Sequence, residues 1–558
     1  MRLKDGWPNL IVKFVGDQSS ELNIAGFLDK ASRLFPNQKA IISAKESSFS
    51  PRTFKELNDE TVRCSTFLHD KKIIKGDKVL LAVRPGYELI LIAFSLFRIG
   101  AIPIIIDPGM GIKAFLKCIK NTKPDALIGV SMIFLLKFFF KSSFFSIRKN
   151  ILIKNNHLDQ QIKTIHEDKF VSPAACNMKS LAAVVFTSGS TGPPKGVEYT
   201  HKMFNAQINH LKNDFQICEG EVDLATLPIF SLFNPALGVT SIIPEMNPRK
   251  PALAKSNLIV ETIQNFKVST SFASPVIGDK IFQFCRANKI KLPSMKRIFL
   301  AGASPHPKLV EGLSNILPNG KVIVPYGATE SLPISSTDHK EISDLYDDTS
   351  QGNGSALGKP LNGITIKIMP ITQAPFDSEP NYPNELESGK IGEICVSGAV
   401  VSEKYFQMPG ATLDSKFKIN EKIFHRMGDL GYFDHNGILR FLGRKAERFM
   451  TKNGILETER CEPIVNSFDE VYRSALIGIG KEKTKRPCLV VELKNQLTQK
   501  KTDLLKRDIL KKLNEYLPKF EFPYIVFQKS LPVDSRHNAK IHRLSLAKKW
   551  TRKLENAL

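Results

Sequence analysis

Residues 182–196 of the chain are Ala182-Ala183-Val184-Val185-Phe186-Thr187-Ser188-Gly189-Ser190-Thr191-Gly192-Pro193-Pro194-Lys195-Gly196. The first five are apolar and predict a buried strand. In the loop that follows, glycines permit close backbone approach, hydroxyl groups donate hydrogen bonds without bulk, and Lys195 adds a cation. A strand that ends in such a loop presents N–H groups to phosphate oxygens. We therefore expect phosphate to be bound by Thr187, Ser188, Gly189, Ser190, Thr191, Gly192 and Lys195.

The common nucleotide-binding loop, G-x-x-x-x-G-K-[ST], does not fit this segment. Pro194 stands five places after Gly189, where that pattern needs glycine. Lys195 is followed by Gly196, which has no hydroxyl to offer a magnesium ion. A different kind of phosphate loop is therefore indicated.

Apolar runs on either side of this loop alternate with helical patterns. Residues 79–83 predict a buried strand, 87–99 an amphipathic helix and 100–107 a second strand, an order that implies crossover units and mostly parallel sheet. Residues 340–390 are rich in Asp, Ser, Asn, Gly and Pro and predict loops and edge hairpins. Beyond Gly443-Arg444 the character of the sequence changes to a short stretch that is very rich in lysine.

The predicted fold class is therefore α/β. We expect a large N-terminal α/β domain of mixed sheets and helices over residues 1–443, which would hold the nucleotide. A hinge at residues 444–446 would join it to a small, mobile α+β domain over residues 447–558. A length of 558 residues is ample for two such domains.

Five further motifs follow the loop in chain order. They are Gly302-Ala303-Ser304-Pro305, Tyr326-Gly327-Ala328-Thr329-Glu330, Gly392-Glu393-Ile394-Cys395-Val396-Ser397-Gly398, Gly428-Asp429 and Gly443-Arg444. Together with the loop, they resemble the motif series of the adenylate-forming superfamily, which includes acyl-CoA synthetases, peptide-synthetase adenylation domains and luciferases. The resemblance spans nearly the whole chain.

This resemblance implies an enzyme that uses ATP and Mg²⁺ to join a carboxylic acid to AMP, with release of pyrophosphate. It assigns the catalytic roles to Lys195, Thr329, Glu330 and Lys540, with Glu330 as the metal ligand. It assigns nucleotide contacts to Gly302, Ala303, Ser304, Tyr326, Gly327, Ala328, Thr329, Asp429 and Arg444. The chemistry agrees, because a carboxylate and an α-phosphate are both anionic and need positive charge between them.

Two segments depart from the ordinary acyl-CoA synthetase, namely Lys445-Ala446-Glu447 and Met450-Thr451-Lys452-Asn453-Gly454-Ile455. Three further segments are considered with them, namely Ile106-Asp107-Pro108-Gly109-Met110-Gly111, Phe230-Ser231-Leu232-Phe233-Asn234-Pro235-Ala236-Leu237-Gly238 and Arg536-His537-Asn538-Ala539-Lys540. These resemble the olefin-biosynthesis β-lactone synthetases, a branch often labelled fatty acid–CoA ligase. The branch adenylates a long-chain β-hydroxy acid, whose own hydroxyl expels AMP and closes a lactone. Coenzyme A is then not the expected acceptor.

The resemblance leaves other acceptors open. One alternative is a long-chain fatty acid–CoA ligase, and another is a fatty acyl-AMP ligase that delivers its product to a carrier protein. A catalytically silent binder is disfavoured, because Lys195, Glu330, Asp429, Arg444 and Lys540 are all present. Phe230, Phe233, Pro235 and Leu237 would supply an apolar pocket for the acid, or else ordinary core packing. The branch also implies other enzymes of a hydrocarbon-biosynthesis pathway as partners.

The net charge of +24 comes from Lys and Arg spread along the whole chain. No nucleic-acid-binding motif accompanies it, so it indicates either solubility or contact with an anionic membrane surface. Residues 131–149 are rich in phenylalanine, and Lys137 and Lys141 would share one face of a helix there. This segment predicts peripheral membrane contact, or else a core helix or the lip of an acyl tunnel.

The eight cysteines are scattered, with no C-x-x-C and no His/Cys cluster. This pattern argues against a disulfide framework and fits a reducing cytosol. The first eight residues carry charges and a proline where an export signal needs an apolar run. We therefore expect a cytoplasmic protein, with the inner face of the membrane as its site of any peripheral contact.

Overall fold

The computed structural model describes residues 23–43, 51–154, 157–186, 193–247, 250–376, 382–481, 484–533 and 540–555. Within these ranges the α-helices are α1 (Gly26–Leu34), α2 (Phe54–Asp70), α3 (Tyr87–Arg98), α4 (Ile112–Thr122), α5 (Ser131–Phe139), α6 (His157–Lys163), α7 (His201–Asn213), α8 (Asn234–Leu237), α9 (Ser256–Asn265), α10 (Pro275–Ala287), α11 (Pro307–Ile316), α12 (His339–Asp344), α13 (Tyr346–Ser350), α14 (Pro409–Ser415), α15 (Thr458–Asn466), α16 (Gln499–Tyr516) and α17 (Arg543–Glu555). Short 3₁₀ turns cover Pro108–Met110, Lys141–Ser143, Glu167–Lys169, Pro228–Leu232 and Pro251–Leu253.

The strands of the same ranges belong to four sheets. They are β1 (Lys39–Ser43), β2 (Arg52–Thr53), β3 (Lys78–Ala82), β4 (Ile102–Ile105), β5 (Ala126–Gly129), β6 (Lys149–Leu152), β7 (Leu181–Phe186), β8 (Gly196–Thr200), β9 (Val222–Leu224), β10 (Thr240–Ile243), β11 (Thr270–Ala273), β12 (Arg297–Leu300), β13 (Lys321–Ala328), β14 (Ser331–Asp338), β15 (Ser355–Pro360), β16 (Thr365–Met369), β17 (Gly392–Ser397), β18 (Lys416–Ile419), β19 (Lys422–Phe433), β20 (Leu439–Arg444), β21 (Phe449–Thr451), β22 (Gly454–Leu456), β23 (Val471–Ile479), β24 (Arg486–Leu493) and β25 (Tyr524–Phe527). The α/β fold class is confirmed.

The first large sheet has the strand order β6-β5-β3-β4-β7-β8. All its neighbours are parallel except β7 and β8, which confirms the crossover units predicted for residues 79–107. Helices cover both faces, because parallel strands joined by crossovers bury both sides of the sheet. Leu81 and Ile128 face a core shared with α2 and α3, whereas Leu80 and Ile104 face a smaller core under α4 and α5.

The second large sheet runs β16-β17-β19-β20-β15-β14-β13-β12-β11-β9-β10-β1-β2, with β18 paired to β19. At strand β13 the pairing of this sheet changes from parallel to antiparallel. Strand β12 lies parallel to β13 on one side, and β14 lies antiparallel to it on the other. The carboxyl ends of β12 and β13 therefore meet at one edge of the sheet, which is where α/β sheets place their ligands.

Residues 340–390 contain more regular structure than their composition predicts. The expectation of loops and edge hairpins is wrong for β15, which lies inside the sheet between β14 and β20. Gly358 explains this, because a Cβ there would lie 2.0 Å from the carbonyl oxygen of Ser336, and its φ is +80°. Glycine is required by that close approach of two backbones, although glycine in a sequence is typical of loops.

The remaining elements, from β21 onward, form a hairpin and a three-stranded sheet in the order β23-β24-β25. Helices α15 and α16 pack on one face of that sheet and α17 on the other. A smaller C-terminal unit of α+β character thus follows the large sheets, as predicted. The exact division at residues 443 and 447 stays a prediction.

A buried ionic cluster ties the start of this C-terminal part to the second large sheet. Glu393 on β17 is almost wholly buried and accepts hydrogen bonds from Arg426 and from Lys445 Nζ, the latter at 2.8 Å. Lys445 lies in the predicted hinge. Because a buried carboxylate without its cations is costly, these contacts fix where the chain leaves the sheet.

No helix in the described part of the chain is long and apolar enough to cross a membrane.

Candidate active site

Residues 401–405 hold together the two places where the sequence predicts phosphate and metal binding. Val401 pairs with Ser331 at the start of β14, and Tyr405 pairs with Val197 on β8. The N–H of Ser402 donates to the carbonyl oxygen of Glu330 at 2.8 Å. The segment therefore brings the end of the β7–β8 loop next to the tip of the β13–β14 hairpin, although the two belong to different sheets.

The predicted phosphate loop joins β7 to β8. Residues Thr187, Ser188, Gly189, Ser190, Thr191 and Gly192 lie outside the described residues, so their part in phosphate binding stays a prediction. The two ends of the loop are described, and Phe186 pairs with Gly196 across the antiparallel strands. A Cβ on Gly196 would lie 2.8 Å from the Phe186 ring, which explains the need for glycine there.

Lys195, Thr329 and Glu330 lie around the Tyr405 ring. The ammonium group of Lys195 is 4.8 Å from the centre of that ring, a cation–π contact. The Tyr405 hydroxyl donates to Glu330 Oε1 at 2.7 Å, and the Tyr199 hydroxyl donates to the carbonyl oxygen of Thr329 at 2.7 Å. Two buried tyrosines thus fix the hairpin tip that carries the predicted metal ligand.

Asp429 on β19 forms a second cluster with Tyr326 and Arg444. The Tyr326 hydroxyl donates to Asp429 Oδ2 at 2.7 Å. Arg444 Nη1 lies 2.9 Å from Asp429 Oδ1, but its N–H is not directed at that oxygen. Burial raises the pKa of Asp429, and the Arg444 charge opposes that rise. Among the described residues no donor is aligned with Oδ1, so this buried acceptor suits a hydroxyl group of a ligand.

Lys540 is close enough to this cluster for its charge to act on Asp429. Burial raises the pKa of Asp429 and of Glu447, and the Lys540 charge opposes both rises. Arg543, three residues on, donates to Glu447 at 3.0 Å and to Glu462. Arg543 thus holds the C-terminal segment against Glu447, the first residue after the predicted hinge. The neighbouring motif residues 536–539 lie outside the described residues.

Gly302, Ala303 and Ser304 follow the carboxyl end of β12, beside the end of β13 that carries Tyr326, Gly327 and Ala328. Gly302 has a φ of +95°, in the left-handed region that favours glycine. Gly327 is required for a different reason, because a Cβ there would lie 2.6 Å from the carbonyl oxygen of Ser331. Most of the described nucleotide residues therefore lie at strand ends or at the hairpin, whereas Asp429 lies within β19.

Comparison with known proteins agrees with this arrangement. The sequence profile of the family described as "AMP-binding enzyme" matches residues 28–406. The chain belongs to the AMP-binding enzyme family. It is also 33% identical to the olefin beta-lactone synthetase of Stenotrophomonas maltophilia, over 94% of this chain and 97% of the relative. The olefin beta-lactone synthetase of Xanthomonas campestris pv. campestris is 32% identical, over 95% and 98%.

Solved structures show the same fold. The anthranilate CoA ligase AuaEII, solved with anthranoyl-AMP, superposes with a TM-score of 0.78 at 17% identity, covering 96% of this chain and 98% of that one. The O-succinylbenzoate coenzyme A synthetase of Bacillus subtilis, solved with AMP, gives 0.74 at 21% identity, covering 94% and 98%. The architecture of an AMP-binding enzyme is thus retained at low sequence identity.

Members of this family use ATP, and the described residues suit a nucleotide. The buried Oδ1 of Asp429 and the half-buried Arg444 provide an acceptor and a cation beside each other. No group of three or more His, Cys, Asp and Glu residues that could hold a metal ion occurs in the described ranges. Glu330 stays the predicted Mg²⁺ ligand, and magnesium that is bound with substrate phosphates usually has only one or two protein carboxylates.

The four predicted pocket residues of this AMP-binding enzyme have unequal surroundings. Phe230 is half-buried and stacks on Phe272, with ring centres 4.7 Å apart. Phe233, Pro235 and Leu237 are buried, as ordinary core packing would require. Phe230 is thus the one of the four with side-chain surface left to meet a ligand, and the role of all four in acid binding stays a prediction.

The structure adds three residues to the candidate site that no sequence motif predicts, namely Tyr199, Tyr405 and Lys416. Lys416 is buried, donates to the Ser402 hydroxyl at 2.9 Å and lies 5.6 Å from the centre of the Tyr405 ring. Burial lowers the pKa of Lys416 to about 7, and the nearby Glu330 charge limits the fall. The alternation of Lys416-Phe417-Lys418-Ile419 was the available signal, since it predicts a strand with lysines on one face.

Proposed function

We propose that this enzyme adenylates a long-chain β-hydroxy acid and then closes it to a β-lactone. In the first step a carboxylate oxygen bonds to the α-phosphorus of ATP, and the bond to the bridging oxygen of pyrophosphate breaks. In the second step the β-hydroxyl oxygen attacks the acyl carbon, loses its proton, and displaces AMP. The observation that carries the proposal is the full-length similarity to two olefin beta-lactone synthetases.

The adenylation step brings two anions together, so the enzyme has to supply positive charge where they meet. Lys195, beside Tyr405, and Lys540, beside the Asp429 cluster, are the two lysines assigned to this task. Lys195 would face the departing phosphates, and Lys540 the attacking carboxylate and the α-phosphate. The Thr329 hydroxyl would hold an α-phosphate oxygen at the tip of the β13–β14 hairpin.

Nucleotide positioning falls to the residues around Asp429. Its Oδ1 would accept a ribose hydroxyl, since it is buried and no donor in the described ranges is aligned with it. Tyr326 keeps the carboxylate in place through its hydroxyl, and Arg444 supplies a donor for ribose or phosphate. Gly302, Ala303 and Ser304 would contact the adenine. Mg²⁺, held by Glu330 when bound, would neutralise charge on the phosphates.

An internal acceptor is favoured over coenzyme A by the β21–β22 hairpin. Here the hairpin carries Met450 and Ile455, both exposed, with Lys452 and Asn453 at its turn. Lys452 pairs with Glu521 at 2.7 Å, and the Asn453 side chain donates to the carbonyl oxygen of Lys519. Both contacts join the turn of the hairpin to other residues of the C-terminal part of the chain. An internal hydroxyl needs no thiol channel, because its effective concentration is already high.

We also place the enzyme in the cytoplasm, with peripheral access to the inner face of the membrane, since a long-chain acid partitions into lipid. A β-lactone is strained and neutral, and loss of carbon dioxide from it would give an olefin. The proposal therefore includes a following enzyme of hydrocarbon biosynthesis as a functional partner.

A pair of matched acids tests this proposal. With a long-chain 3-hydroxy acid, ATP and Mg²⁺ but no coenzyme A, we expect continuous release of pyrophosphate and AMP. With the 3-methoxy ether of the same acid, adenylation proceeds but the internal nucleophile is blocked, so we expect about one pyrophosphate per active site and then arrest. Both are measured by quenched-flow assay of pyrophosphate. Sustained AMP release from the ether would contradict the internal acceptor.

A further inference from the structure

The outer face of α5 and of the turn after it carries six of the sixteen large hydrophobic side chains that are exposed in the described chain. Its large exposed side chains are Met132, Leu135, Phe138, Phe139, Phe140 and Phe145. Phe138 and Phe139 are 67% and 68% exposed, and their rings pack edge to face at 5.4 Å. All four of the strongly exposed phenylalanines among the described residues lie here. Such clustering marks a binding surface, whereas single exposed apolar residues are ordinary. We call residues 132–145 the phenylalanine ridge.

The inner side of the ridge is firmly packed. Ile133, Phe144 and Ile147 are buried in the core that also contains Phe115 and Leu116 of α4. Lys137 reaches toward β6, where its ammonium donates to Oδ1 of the exposed Asn150 at 2.6 Å. The expectation that Lys137 and Lys141 share one helical face is therefore wrong, since α5 ends at Phe139, before Lys141. The exposed rings therefore project from a helix whose other side is packed on the core. The prediction of a core helix is correct only for that inner side of α5.

The surface beside the ridge is strongly basic. Lys113, Lys117 and Lys120 are exposed along one face of α4 at the spacing of successive helical turns. Lys141 lies over the Phe138 ring at 5.7 Å, and Arg148 is exposed beyond it. Residues 111–154 contain nine Lys and Arg, and Asp125 is their only acidic residue. Since α4 and α5 pack on the same core, their outer surfaces lie on the same side of the first large sheet.

We infer that the phenylalanine ridge docks on the surface of an anionic lipid bilayer. The aromatic rings enter the boundary between headgroups and acyl chains, and the lysines of α4, with Lys141 and Arg148, lie over anionic headgroups. A bilayer offers an apolar layer and negative charge side by side, which matches the two chemistries found here. Helix α5 has 9 residues, whereas about 20 are needed to span, so it lies in the plane of the interface.

This inference names the surface by which the enzyme of the proposed function would meet its lipid substrate. The docking itself rests only on exposure and charge, so it can be tested without ATP or acid. Sedimentation with sucrose-loaded vesicles is the measurement. One vesicle type contains phosphatidylcholine alone, and the other contains phosphatidylcholine and phosphatidylglycerol at about three to one.

We expect the wild-type protein to bind the anionic vesicles at least tenfold more tightly than the neutral ones, and less tightly as salt is raised. Phe138→Asp with Phe139→Asp should lower binding to anionic vesicles at least tenfold. Lys113→Gln, Lys117→Gln and Lys120→Gln together should remove most of the preference for anionic lipid. Leu504→Asp, which changes an exposed leucine on α16, is the matched control and should bind like wild type.

Acid-dependent ATP–pyrophosphate exchange without vesicles should be unchanged in all these variants, which shows that each is folded and active. If the wild-type protein showed no exchange, the proposed function would be contradicted. Vesicle binding would still test the docking surface by itself. Equal vesicle binding by the wild type and the Phe138/Phe139 variant would overturn the inference. If the wild-type protein did not bind vesicles but dimerised through the ridge, the inference would also be overturned. The ridge would then bind a second copy of the chain and not a bilayer.

Discussion

Lys540→Ala should lower the rate of acid-dependent ATP–pyrophosphate exchange by about 10²–10³-fold, the usual loss when one preorganised charge at a reacting centre is removed. Lys540 is the group on the C-terminal part of the chain whose charge reaches Asp429. Substrate binding should change much less than the rate, because the ammonium acts mainly where the carboxylate meets the α-phosphate. Isotope exchange at saturating ATP measures the effect.

The matched control is Lys548→Ala, which removes an exposed lysine from α17 of the same domain. It should retain the wild-type exchange rate, so that a loss in Lys540→Ala cannot be assigned to the net charge of the domain. Exchange that is unchanged in Lys540→Ala would show that another group bridges the two anions. The assignment of this lysine would then be wrong.

Asp429→Asn should raise the KM for ATP by about 10- to 100-fold, which corresponds to losing a charged hydrogen bond worth roughly 1.5–3 kcal/mol. Asparagine keeps the size of the side chain and still offers an oxygen to the Tyr326 hydroxyl, so the fold should persist. It removes the negative charge that faces Arg444 and the lysine at position 540. Steady-state exchange over a range of ATP concentrations gives the KM.

Asp344→Asn is the control for this variant, because Asp344 is an exposed carboxylate at the end of α12. Its KM for ATP should equal that of the wild type. If Asp429→Asn also kept the wild-type KM while remaining folded, the ribose would have to be held elsewhere. Thermal unfolding of both variants separates loss of binding from loss of structure.

Sequence patterns predicted three of the six strands of the first large sheet, together with the helix between two of them. Residues 79–83 and 182–186 were expected as buried strands, and they correspond to β3 and β7 within a residue. The helix expected over 87–99 is α3, which ends at Arg98. These predictions succeed because a short apolar run between turn residues has one stable environment, the middle of a covered sheet. The two-part α/β organisation followed from the same patterns.

The candidate site was predictable where neighbours in space are also near in the chain or belong to one motif. Asp429 and Arg444 face each other because β19 and β20 are adjacent antiparallel strands. Tyr405 and Lys416 were missed because their partners, Glu330 and Lys195, come from distant segments that only the folded chain brings together. The prediction that Lys137 and Lys141 share a helical face was wrong because the sequence pattern does not show that the helix stops before Lys141.

Product analysis tests the central claim most directly. The enzyme would be incubated with ATP, Mg²⁺ and a long-chain 3-hydroxy acid, with and without coenzyme A. The lipid products would then be separated and identified by mass spectrometry. We predict a neutral product lighter than the acid by one water, formed at the same rate in both reactions, with AMP released in equal amount. Formation of an acyl-CoA thioester only when coenzyme A is present, with no neutral lactone in either reaction, would contradict the account.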